Sequence, residues 1–115
     1  MPARTSDMHT QYLSEVELTY SLLEDNFDGL YEHASPADRQ QLRNLHAAAR
    51  DVYWRGVSSA LQDGNQVVHD IYTDLSAANQ QIKELLSDLR NVSALLSIVK
   101  QAVRLAGSLV TLAAA

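Results

Sequence analysis

No cysteine occurs in the 115 residues, which excludes a disulfide framework, a thiol nucleophile and every thiolate metal site, and which fits a reducing compartment. Proline appears twice and glycine four times, and aromatic residues make up only 6% of the chain. With Ala, Leu, Gln, Asp and Arg plentiful, that balance favours helices over turn-rich sheets, and the expected class is all-α. The N-terminal stretch MPARTSDMHTQYLSEVE has no apolar segment of the secretory type, so a cytoplasmic setting is expected.

Charge of one sign is missing in two places. From Tyr12 to His33 there is no Lys or Arg, only the acids Glu15, Glu17, Glu24, Asp25, Asp28 and Glu32. From Leu89 to the end there is no acid, only Arg90, Lys100 and Arg104. Between them lie Arg39, Arg43, Arg50 and Arg55. Complementary runs of this kind predict pairing of Glu24, Asp28 and Glu32 with Arg39, Arg43, Lys100 and Arg104. Exposed pairs contribute only about 0.2–1 kcal/mol each, so they set register rather than stability. The net charge of −5 argues against a general nucleic-acid binder, which needs a broad basic surface to displace phosphate counterions.

Catalytic motifs are missing as well. There is no G-x-S-x-G elbow, no glycine-rich phosphate loop and no HExxH, so neither an enzyme, a cofactor nor a small-molecule substrate is expected. Glu24, Asp28 and Glu32 at i, i+4 and i+8 could converge with His33 or His46 on a divalent ion, which leaves a carboxylate metal-binding bundle as an outside alternative. Di-iron bundles, however, want a Glu-x-x-His on each of two helices, and the chain has none. Trp54, with Tyr53, Arg50 and Arg55 beside it, could stack on a ligand, but a single Trp at the edge of a helical core is the more ordinary reading. Asp63-Gly64-Asn65 lacks the remaining ligands of a calcium loop and reads as helix punctuation.

What the chain does have is helical periodicity. Leu13, Val16, Tyr20, Leu23, Phe27 and Leu30 alternate by 3 and 4 along a first helix expected over residues 7–34, behind a flexible 1–6. Ser35, Pro36 and Asp38 form an N-cap, a first-turn proline and a dipole-facing acid for a second helix over 35–63, carrying Leu42, Leu45, Ala49, Val52 and Val57. Gly64 stops that helix and Asn65 caps the next. From Val68 to Val110 thirteen apolar residues continue the 3,4 alternation for about six heptads, the pattern of a coiled-coil-like third helix over 65–113. Nothing around Asn91 or Ser93 reads as a convincing capping box.

The third helix poses a length problem. Some 45 residues span roughly 68 Å, against about 40 Å for each helix of the preceding antiparallel hairpin. Either the helix folds back near Asn91 to complete a four-helix bundle, or its last 20 to 25 residues project from a three-helix bundle and need a partner. Beyond Asp88 the apolar face widens, with Leu95, Ala102 and Leu109 on one flank and Ile98, Leu105 and Leu112 on the other, which is more than one neighbour can cover. The expected fold is thus a single all-α domain over 1–115, a hairpin plus a long heptad-patterned helix, assembled as a dimer. The expected function is that of a non-enzymatic helical interaction protein, an adaptor or small regulatory subunit. Its contact surface is Leu95, Leu96, Ile98, Val99, Val103, Leu105, Leu109 and Val110, and its partner is a second copy or another helical protein. Peripheral membrane association through the same tail, with Lys100 and Arg104 toward anionic head groups, is the alternative.

Overall fold

Ser35 ends one helix and starts the next: its backbone is extended (ψ 164°) and its hydroxyl accepts from the Asp38 amide at 3.2 Å, with Pro36 in the first turn. In the computed structural model, which describes residues 3–62 and 64–114 and side chains from His9 onward, four helices result. They are α1 (Ala3–His33), α2 (Pro36–Ser58), α3 (Gln66–Leu85) and α4 (Val92–Ala113), with a 3-10 turn at Leu89–Asn91 before the last. The protein is all-α, a compact bundle 48 × 23 × 20 Å. Helix α1 starts inside the stretch 1–6 expected to be flexible; residues 1 and 2 of it, like Asp63, lie outside the described residues.

Contacts fix the directions. Along α1 and α2, Tyr31 meets Arg39, Glu24 meets His46, Tyr20 stacks on Tyr53, and Leu13 lies against Gly56, so numbers fall on one helix as they rise on the other and the pair is antiparallel. Tyr12 sits 5.1 Å from Tyr72, and Thr19 bonds Asn79, so α3 runs parallel to α1. Val52 and Arg55 approach Gly107 while Gly56 approaches Val110, so α4 runs parallel to α2. Around the bundle the order is α1, α2, α4, α3, with α1 and α4 also touching across the short diagonal. The α2–α3 connection therefore crosses the end of the bundle.

That crossing explains why α2 stops at Ser58 rather than near residue 63. Ser58 and Ser59 turn their hydroxyls back onto the Trp54 and Arg55 carbonyls, competing with continued helix. The chain then extends to drop Leu61, 1% exposed, into the core as a plug. The Leu61 amide donates to His9 Nδ1 at 3.1 Å, and Leu61 and Ala114 form an antiparallel bridge with the Gln62 amide on the Ala113 carbonyl at 2.8 Å. Gly64 supplies clearance rather than the helix stop, because a Cβ there would lie 2.7 Å from Val68 Cγ2. Asn65 caps α3 as expected, accepting from the Val68 amide.

The stretch read as one helix over 65–113 is two. Ser87 Oγ donates to the Glu84 carbonyl, Asp88 accepts from the Arg90 amide and holds its guanidinium through both carboxylate oxygens, and Asn91 Oδ1 accepts from the Ala94 amide at 3.1 Å. Three short polar side chains thus satisfy the backbone groups that a continuous helix would have paired. The chain folds back and the four-helix alternative results, without a capping box. The apolar spacing continues across the break because both halves turn their apolar face to one core.

Helix α4 occupies the middle of that core. It packs on α3, α2 and α1 at once, and Val92, Leu95, Leu96, Val99, Ala102, Ala106, Leu109, Val110 and Ala113 are all buried. At about 1.5–3 kcal/mol for each large side chain, this is the main apolar driving force of the fold. One flank of the widened face, Leu95, Ala102 and Leu109, is covered by the chain itself, while on the other Ile98 and Leu105 are half-buried and Leu112 is exposed.

Candidate functional site

The fold sorts the charges into two layers. On the described side chains of α1 and α3 there are nine acids against Lys83 alone. On α2 and α4 there are Arg39, Arg43, Arg50, Arg55, Lys100 and Arg104 against Asp38 and Asp51. Since α1 neighbours α3 and α2 neighbours α4, one long side of the molecule is acidic and the opposite side basic. Where α1 adjoins α2 the two layers meet directly, as Glu24 does His46.

The pairing expected among these charges takes another form. Glu24 meets the His46 ring, which also packs on Phe27 and Tyr20. Arg39 donates to the Tyr31 carbonyl and lies 4.5 Å over the Tyr31 ring, and Arg43 donates to the Tyr31 hydroxyl, so both arginines serve the α1–α2 turn through an aromatic instead of a carboxylate. Among the described residues Asp28, Glu32, Lys100 and Arg104 make no ion pair. The reason is topological: α4 meets α1 through its apolar side only, which leaves Lys100 and Arg104 exposed. No group of three His, Asp or Glu among the described residues is arranged to hold a metal ion.

The eight apolar residues expected to form a contact surface are divided. Leu95, Leu96, Val99, Leu109 and Val110 are at most 2% exposed, their surface consumed by the chain's own core. Ile98, Val103 and Leu105 are half-buried. Exposed apolar surface lies elsewhere: Trp54 is 57% exposed, Val67 56%, Leu112 54% and Val57 41%.

Trp54 and Leu112 border a groove along the α2–α4 seam near the C-terminal ends of both helices. Two shallow depressions, of about 470 and 430 Å³, share Arg55 and Thr111 and so run into one another. The first is bounded by Trp54, Ser58 and Val110, the second by Val103, Arg104 and Leu112, with Gly107 on its floor. Arg55 reaches only 3.7 Å toward Asp51, both exposed, and keeps its guanidinium accessible. Tyr53 packs its ring 5.2 Å from Trp54 and so orients the indole. The Glu17 carboxylate beside Tyr53, with some burial, holds that phenol above its ordinary pKa.

The exposure of Trp54 was legible in the sequence. It lies two residues past Val52, about 200° around the helix from the core centre, so it belongs to the outer face rather than the edge of the stripe. Arrangement of the groove was not legible, because it depends on which helix becomes the neighbour of α2. The segment Leu89–Ala113 is long and apolar enough to cross a membrane by composition, and the same composition suits the central helix of this bundle. Comparison with protein-family models, with curated proteins and with solved structures finds no match.

Proposed function

We propose that the chain is a non-enzymatic helical interaction protein, an adaptor or small regulatory subunit, whose contact face is the outer surface of α2 and α4. One observation carries the reading: the single tryptophan of the chain is more than half exposed beside a groove walled by arginines. Trp and Arg dominate the energetics of protein contacts, because both combine a large apolar or planar body with a directional polar group. This face differs from the one expected along the apolar side of α4, whose residues already have partners inside the bundle. Dimerisation is not required to cover them.

Peripheral membrane association is the second reading, favoured by Lys100 and Arg104 standing unpaired on the same face as Trp54. The experiment is a photo-crosslinking residue placed at position 54 in the full chain in its native cell, with position 25 on the acidic side as control. Position 54 should yield a defined protein adduct, identified by mass spectrometry, that position 25 does not. No adduct at 54, or identical adducts at both, refutes the reading.

A further inference from the structure

We infer that the occupant of the α2–α4 groove is an acidic amphipathic helix from another protein, a conclusion that rests on the interaction reading above. Three observations lead there. First, each wall carries a cation, Arg55 on α2 and Arg104 on α4, with Lys100 one turn before Arg104, and the only acid lining the groove is Asp51. A rod lying in the seam meets positive charge on either side. Guanidinium forks hold carboxylates in pairs of parallel hydrogen bonds, which favours Glu and Asp as the flanking residues of that rod.

Second, the groove is concave and elongated. Its lining runs over residues 51–59 along α2 and 103–114 along α4, so about 12 residues of a partner helix, roughly 18 Å, would fill its length. A flat bilayer would leave both depressions empty. Third, apolar anchors stand at one end, Trp54 on one wall and Leu112 on the other. A partner with one apolar stripe and acidic flanks matches that layout, as helix-in-groove recognition generally does.

The α1 face of a second copy offers acid but no anchor, and on α3 the one exposed large apolar side chain is Val67 at the helix start. Every exposed residue of α1 between Thr10 and His33 is polar. Docking α1 of one copy on this groove would leave Trp54 and Leu112 unmatched, and the head-to-face contact would not close.

The single tryptophan makes the test direct. The full-length protein is titrated with a Trp-free peptide of about 20 residues bearing a leucine stripe and glutamate elsewhere, and with a second peptide that carries lysine in place of glutamate. The acidic peptide should shift Trp54 emission to the blue and bind at least tenfold more tightly than the basic one, with affinity falling as salt rises. An Arg55→Glu, Arg104→Glu variant should reverse the preference while its circular dichroism stays unchanged, both side chains being exposed. Equal binding of the two peptides, or of neither, overturns the inference, as does a Trp54 shift seen only with anionic phospholipid vesicles or a concentration-dependent self-association without peptide. Peptide failure together with a protein adduct at position 54 would overturn the inference and leave the interaction reading standing.

Discussion

Asn79 and Thr19 are fully buried polar side chains, and they couple α3 to α1. Thr19 Oγ1 donates to Asn79 Oδ1 at 2.6 Å, and the Asn79 amide donates to the Glu15 carbonyl and to Glu15 Oε1, each at 3.0 Å. Asn79→Leu fills the same volume but removes all three bonds. At about 1 kcal/mol net each, with the one to a half-exposed carboxylate at the low end of the charged range, the loss is about 3 kcal/mol. Thr19 is then left with the Glu15 carbonyl at 3.3 Å, a poor substitute in a buried place. Thr19→Val alone removes one bond and leaves Asn79 Oδ1 unsatisfied, at a cost of about 1–2 kcal/mol. Together the two changes replace the polar pair by an apolar one with no orphan, so the double variant should lie about 1–2 kcal/mol above the sum of the singles. Urea denaturation of the four proteins, with equal slopes, measures this. Additive costs would refute the argument, because they would mean that the two side chains do not depend on each other.

Gly107→Ala should stabilise the protein by about 0.8–1 kcal/mol, the helix-propensity difference, because the new Cβ meets Val52 and Arg55 only at 3.9 Å; thermal unfolding should rise by roughly 4 °C, and an unchanged or lower midpoint refutes it. The same methyl fills the groove floor, so the acidic peptide should bind the Ala variant more weakly even as the fold gains stability. Asp88→Ala with Asn91→Ala removes the side chains that cap the break, so α3 and α4 should straighten in a fraction of molecules and exchange α4 between two copies. Light scattering should then show more dimer at each concentration than in the unmodified chain, and a variant indistinguishable from the unmodified chain would refute the role of the caps. The Arg90 guanidinium and amide beside Asp88 hold its carboxyl below the ordinary 3.8. Its contribution to the turn is therefore present above that value and is lost as pH falls through the lowered one. The Arg90 amide resonance should titrate with a midpoint below 3.8, and a midpoint above it contradicts the bond.

Local information accounts for most of the helices and almost none of their arrangement. The alternation of apolar residues by 3 and 4 specifies that α1, α2, α3 and α4 are helices and which side of each is buried, since that spacing needs no partner to be read. The cap at Ser35 and the one at Asn65 are likewise local, resting on a side chain and an amide three residues on. Charge segregation was present as two runs, but its meaning was not. Whether Glu24, Lys100 and Arg104 would neutralise one another depended on which faces met, and packing alone decided that they would not.

The break between Leu85 and Val92 marks the boundary most clearly. Ser87, Asp88 and Asn91 permit a turn there, yet the same residues sit on the surface of many continuous helices, and the apolar phase runs through them undisturbed. Only the gain from burying α4 against three helices, rather than leaving it beyond the end of two, makes the turn the lower free energy. The sequence by itself determined that this protein is helical, where its apolar stripes lie and how its charges are distributed along the chain. Tertiary structure decided that α4 is enclosed, that α2 and α4 become neighbours, and that Trp54 stands over a basic groove, because each of these follows from contacts between residues dozens of positions apart.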